Sequence, residues 1–150
     1  MKIGILGDLH LRSTRPVNRI DNYYETQFEK LNQAFQTFQE EGCMMVLQPG
    51  DFFNNYGKDP YDVTNNAIAL LMYYRIPTYL VFGQHDIKFH NQEITDIPIQ
   101  TLNKTDLIQQ LSNSSETIKL GAKQKIKLYG ANWDEPIPKA MKRKNVVNIL

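Results

Sequence analysis

The sequence predicts an α/β fold, a mostly parallel sheet flanked by helices, in one domain spanning residues 1–150. Three observations lead there. Short apolar runs at residues 2–6, 44–48 and 78–82 alternate with stretches whose apolar residues recur at helical spacing. Strands joined through helices make right-handed crossovers and so run parallel. Each run also stops at residues of the kind that hold metals or handle protons: Gly7-Asp8-Leu9-His10, Pro49-Gly50-Asp51-Phe52-Phe53-Asn54 and Gly83-Gln84-His85-Asp86. Parallel strands bring those loops to one edge of the sheet, where open α/β sheets bind ligands.

The first strand, Lys2-Ile3-Gly4-Ile5-Leu6, runs into Asp8 and His10. In an extended chain, positions two apart point the same way, so these two side chains are expected to close on one cation. A polar arm at residues 11–20 follows, carrying Arg12, Arg15, Pro16 and Arg19. Arginines beside a metal site can contact phosphates; a solvated loop is the alternative. Asp21 or Asn22 then caps a helix, with Glu25 placed as in a capping box. Tyr24, Phe28, Leu31, Phe35 and Phe38 recur in steps of four and three and mark its apolar face, and Glu40-Glu41-Gly42 ends it.

The second strand is apolar throughout, as expected where both faces are covered. Asp59-Pro60 begins the second helix, with proline in a tolerated first-turn position. Its inner face is Val63, Ala67, Leu70, Leu71 and Tyr74, and Pro77 blocks its continuation. Beyond the third strand, residues 87–96 are polar, and His90 among them reads as a surface histidine outside the site. Residues 97–111 are expected to hold a helix. Residues 116–120 and 126–130 read as a strand pair turning at Ala122-Lys123-Gln124, and Asn132-Trp133-Asp134 as a loop. Residues 139–144, Lys-Ala-Met-Lys-Arg-Lys, read as a solvated basic helix face in preference to a nucleic-acid patch. Residues 146–150 form a last apolar strand.

Composition narrows the function classes. Seventeen basic against sixteen acidic residues leave a net charge of +1, so any polyanion surface must be a local patch. The single cysteine, Cys43, has no internal disulfide partner; it suits a reducing compartment and reads as a buried structural thiol. Asp8 and His10 interrupt the first apolar run too early for a signal peptide. No apolar stretch approaches the roughly 20 residues that span a bilayer. A soluble cytoplasmic protein without a membrane partner is expected.

Asp8-x-His10, then Gly50-Asp51-x-x-Asn54, then Gly83-Gln84-His85-Asp86 resembles, in order and strand context, the signature of calcineurin-like metallophosphoesterases. Within that family the chain looks most like SbcD-type DNA nuclease subunits of break-repair complexes, strongly over residues 1–90 and loosely afterwards. Those also run Asp-x-His-Leu into an arginine-bearing arm, a long helix and a Gly-Asp followed by two apolar residues. The resemblance implies the amino-terminal part of an αββα sandwich and a hydrolase with two divalent ions, manganese being a suitable choice. By that likeness Asp8 and His10 hold the first ion, Asp51 bridges both, and Gln84 reaches the second. His85 lies beside the substrate phosphate and protonates the leaving oxygen, while Asn54 and Asp86 stand behind the ligands.

Two departures from the family pattern matter. Glutamine stands at 84 where the family has asparagine, and its extra methylene moves the amide oxygen by about 1.5 Å. The family's later histidine and Gly-His-x-His motif have no counterpart, since the only histidines are His10, His85 and His90. The chain is therefore expected to be an incomplete phosphoesterase domain, weakly active or inactive alone, binding one ion well and prone to self-association. The expected partners are DNA and an SbcC-type ATPase subunit. A phosphoesterase for a small nucleotide or lipid-sugar substrate, or a non-catalytic assembly module, are the other readings.

Overall fold

Four strands lie parallel and adjacent in chain order: β1 (Gly4–Ile5), β2 (Val46–Gln48), β3 (Thr78–Leu80) and β4 (Ile108–Gln110). Between them run α1 (Tyr23–Glu40), α2 (Tyr61–Tyr74) and α3 (Pro98–Asn103). A second sheet follows, of β5 (Ser114–Leu120), β6 (Gln124–Gly130) and β7 (Val146–Ile149); β5 and β6 are antiparallel, and β7 lies parallel to β6. The computed structural model describes residues 1–55, 61–91, 93–112, 114–120, 124–140 and 143–149. The expected helix start at Asp59-Pro60, the turn residues Ala122 and Lys123, and Met141 and Lys142 of the basic run lie outside the described residues, as does the side chain of His90.

The aromatic stripe of α1 does what its spacing implies. Leu31 and Phe35 are buried, and Tyr24, Phe28 and Phe38 pack against the same core. Gly4 lets α1 sit low on β1, because a Cβ there would meet the Phe38 ring at 2.9 Å. From α2, Val63, Ala67, Leu71 and Tyr74 fill the same layer. Burial of each of the larger aliphatic and phenylalanine side chains contributes about 1.5–3 kcal/mol. The two helices are also stitched by hydrogen bonds: Tyr74 Oη donates to Asn32 Oδ1 at 2.9 Å, and Asn66 Nδ2 donates to Tyr24 Oη at 2.6 Å.

The other face of the parallel sheet meets the second sheet through Met45, Leu111, Ile126 and Leu128, with Leu47, Tyr79, Val81, Ile118 and Ile149 around them. This explains why β2 is apolar on both sides. The crossing is tightest at Gly130, where a Cβ would lie 2.3 Å from that of Leu111. A mostly apolar cleft of about 430 Å³ opens between the sheets, with Ile5, Leu47 and Ile149 among its walls. Three layers are thus present among the described residues: helices, parallel sheet and mixed sheet.

The structure refines the local expectations in four places. Residues 97–111 are helical only at Pro98–Asn103; Asp106 takes a left-handed φ of 58° and the chain re-enters the parallel sheet as β4. The last strand, β7, lies in the second sheet beside β6. No side-chain cap bond forms at Asn22, and Asp21 beside it accepts instead from Arg19 Nε at 2.8 Å and Nη2 at 2.7 Å. Cys43 is half-buried, not buried, in the turn between α1 and β2.

Candidate metal centre

The three loops are knitted together mainly by backbone. His10 N donates to Asp51 O at 2.9 Å, Leu11 N to Phe52 O at 3.0 Å, and Asn54 N to Leu11 O at 3.0 Å. The first and second loops therefore run side by side as a one-rung parallel ladder, with Leu11 opposite Phe53. The second and third loops meet at two glycines. Gly50 has a φ of 111°, and a Cβ on it would lie 3.0 Å from Gly83 Cα. A Cβ on Gly83 would lie 2.1 Å from Asp51 Oδ1 and 2.4 Å from Asp51 N. Only glycine lets the two loops approach so closely. Gln48 fixes the bend by accepting from Gly50 N at 2.9 Å and donating to Gly50 O.

Asp86 is the buried clamp of this junction, at 1% exposure. Its carboxylate accepts from Phe53 N at 2.9 Å, Gly83 N at 3.0 Å and Phe52 N at 3.2 Å, so one side chain holds two loops. Burial pushes its carboxyl up to about 6, while the three N–H donors pull the other way. The neighbouring His85 is positioned twice. Its N–H donates to Asp51 Oδ1 at 2.9 Å, and its Nδ1 faces Asn54 O at 3.1 Å. A carbonyl can only accept, so Nδ1 carries a proton and Nε2 holds the free lone pair when the ring is neutral.

The result is one cluster: His10, Asp51 and His85 each offer a ligand atom, and these atoms lie within 4.8 Å of one another. The His10 and His85 rings meet edge to face with centroids 4.8 Å apart. His10 Nε2 lies 3.9 Å from Asp51 Oδ2. That is too long for a hydrogen bond and close to twice a metal–ligand distance of about 2 Å. His10 Nδ1 is buried without a hydrogen-bond partner. Two imidazoles, a shared carboxylate and an unpartnered ring nitrogen fit a divalent cation.

The remaining expected site residues are placed as follows. Asp8 does not join the cluster. Asp8 and His10 both take a left-handed φ of 46°, so the extended geometry that would align them is absent. The Asp8 side chain is exposed and lines a groove with Arg19, Tyr23 and Lys30. Gln84 is exposed at the start of the turn that carries His85. Asn54 touches the site through its carbonyl. The Arg12 guanidinium sits 5.4 Å from the Tyr23 ring centroid, its backbone exchanges hydrogen bonds with Gln27, and Arg15 is exposed. Arg19 is paired with Asp21 and holds that carboxyl well below its ordinary range.

One structural contributor had no warning in the motifs. Asn132, read only as loop, is buried and accepts from Phe82 N at 2.7 Å, while Trp133 N donates to Phe82 O at 2.8 Å. It anchors the end of the third strand run just before Gly83. Its one signal was position: it follows the end of another strand, as the site loops do.

This centre lies at the end of a parallel sheet flanked by helices, and the family model for calcineurin-like phosphoesterases matches residues 1–144. The chain belongs to the calcineurin-like phosphoesterase family. A crystal structure of a dimetal phosphatase from Danio rerio is similar at 14% identity and a TM-score of 0.48. The similarity covers 89% of this chain, which spans 47% of that one. No curated protein matches significantly.

Proposed function

We propose that the chain carries the metal-binding core of a DNA phosphodiesterase of the SbcD type. The observation that supports it most is the His10–Asp51–His85 cluster, which gathers one side chain from each of the three strand-end loops. His10 and Asp51 would hold a first divalent ion, joined by Asp8, with manganese the leading choice for this donor set. Asp51 would also serve a second ion, with Gln84 as its candidate amide ligand. Divalent ions bound there supply positive charge at the phosphate and a more acidic water.

The protein's own groups do the rest. Asp51, fixed through the His85 N–H, keeps one oxygen oriented. His85, anchored through Nδ1 on the Asn54 carbonyl, presents Nε2 to the leaving oxygen and, once doubly protonated, donates the proton there. Arg12 and Arg15 are the proposed contacts to flanking phosphates. Self-association and docking of an SbcC-type ATPase subunit belong to the same proposal.

The test compares hydrolysis of linear duplex DNA with that of a small chromogenic phosphodiester in excess manganese. Faster turnover of DNA per bond is the expected result. Turnover of the small diester alone favours a nucleotide or lipid-sugar substrate instead. Absence of manganese binding by calorimetry overturns both and leaves the assembly-module reading.

A further inference from the structure

The outer face of the second sheet carries a charge arrangement that the metal centre does not use. Ile126 and Leu128 point inward to the core, so Lys125 and Lys127 of β6 stand on the opposite face, with the buried Tyr129 in line with them. Thr117 and Lys119 of β5 stand directly across from Lys127 and Lys125. Arg143 and Lys144, in the turn before β7, close one end. Thr117, Lys125, Lys127, Tyr129, Arg143 and Lys144 line a pocket of about 340 Å³ with Asn145 and Val146, and no acidic residue stands in its wall. Its lining shares no residue with the three site loops.

Like charges directly opposite on a sheet are destabilising, yet Lys119 faces Lys125 across the ladder. None of Lys119, Lys125, Lys127, Arg143 and Lys144 makes an ion pair among the described residues. Lys127 is instead oriented by the Tyr129 ring, with Nζ 5.1 Å from its centroid. Five cations on one face of a chain whose net charge is +1 are segregated, not scattered. A multivalent anion turns their mutual repulsion into attraction. Phosphate is the anion whose several oxygens suit lysine ammonium groups together with an arginine fork and a threonine hydroxyl.

We propose that this pocket is an anion site for the phosphate groups of a polyanion, separate from the metal centre. The chemistry is shared by the backbone of a nucleic-acid strand and by a free oligophosphate. Fluorescein-labelled oligothymidine and inorganic tripolyphosphate separate these sources, both titrated against the whole chain in EDTA so that metal chemistry is silent. The oligothymidine is expected to bind with salt-dependent affinity. The Lys125→Gln, Lys127→Gln double variant should weaken it about tenfold or more, with a salt slope shallower by about 0.7 per lysine removed. Lys144→Gln, on the exposed turn, should give the same kind of change at about half the size without endangering the fold. Displacement of the oligothymidine by tripolyphosphate assigns the pocket to phosphate as such; variant-sensitive binding without displacement assigns it to a strand. Equal affinity of wild type and both variants, or no binding of either probe, overturns the proposal. Hydrolysis at the metal centre is measured separately, so failure here leaves that reading intact.

Discussion

The two sides of the metal centre are built differently. On the Asp51–His85 side, two glycines put backbone against backbone, and a fully buried carboxylate ties three N–H groups from both loops. On the Asp8 side, the carboxylate is exposed on a left-handed bend, and the arm beyond it is engaged with Tyr23 and Asp21. Burying Asp86 costs solvation free energy, and its three backbone hydrogen bonds offset that cost. What results is a fixed position for Asp51 and His85 before any ion arrives. Asp8 has no such support and must give up side-chain freedom to bind anything. Preorganisation here is thus a property of one junction, not of the whole motif set.

The largest effect should come from breaking that junction. Gly83→Ala sets a methyl against Asp51 N and Oδ1, and backbone cannot yield as a flexible side chain can. A loss of about 3 kcal/mol in urea unfolding is expected, at the high end for overpacking, together with loss of manganese binding. Wild-type affinity in this variant would mean that the close approach of the loops is not what aligns the ligands. Next is His85→Ala. If the ring serves the leaving oxygen, turnover falls about a hundredfold to ten-thousandfold while manganese affinity holds. A collapse of affinity instead makes His85 a ligand, which its free Nε2 also permits.

Asp86→Asn sharpens the same contrast more gently. An amide cannot accept at both of its polar atoms, so at least one of the three N–H groups loses its partner. Metal affinity should fall about 10–100-fold, as for other groups that orient ligands from behind. The pH dependence carries a sign. Asp86 has its folded-state carboxyl raised from the ordinary 3.8 to about 6, mainly by burial. Folding therefore favours the protonated form. In metal-free protein its share of stability is complete below about pH 4 and lost as pH rises through about 6. In EDTA the urea midpoint of wild type should fall relative to that of Asp86→Asn as pH rises through that window; a relative rise would reverse the sign and refute the burial argument.

The layout of this junction was legible in the chain because glycine, aspartate and histidine at strand ends are residue types with few other uses together. The aromatic stripe of α1 was legible for a similar reason, since steps of three and four over eighteen residues leave little choice of face. What was hidden is tertiary. The three residues of β4 are too few to show a period, and a left-handed turn at Asp106 separates them from α3. The pairing of β7 with β6 depends on partners 21 positions away, such as Val146 with Lys125, and local pattern cannot select among open edges. The expected alignment of Asp8 with His10 failed for a backbone reason: alternation holds only while the chain is extended, and φ turns positive at the aspartate itself.

That failure yields the smallest predicted effect and the most direct test of the comparison. The family likeness gives Asp8 one ion and Asp51 two. The geometry sets them further apart. Asp51 shares a cluster with two imidazoles and is fixed through the His85 N–H, whereas Asp8 is exposed beside Arg19 and Lys30. An exposed carboxylate that must be drawn onto an ion adds Coulomb attraction but spends rotamer entropy, and nearby cations compete for it. Asp8→Ala should therefore weaken manganese binding by less than about tenfold, under about 1.4 kcal/mol. Asp51→Ala should exceed the roughly 10–100-fold that losing a supporting group costs. Titration calorimetry of the two variants and His10→Ala under one buffer reads the order directly. Equal losses at positions 8 and 51 would show that the first loop swings Asp8 onto the ion, and the two sides of the centre would then be alike once metal is bound.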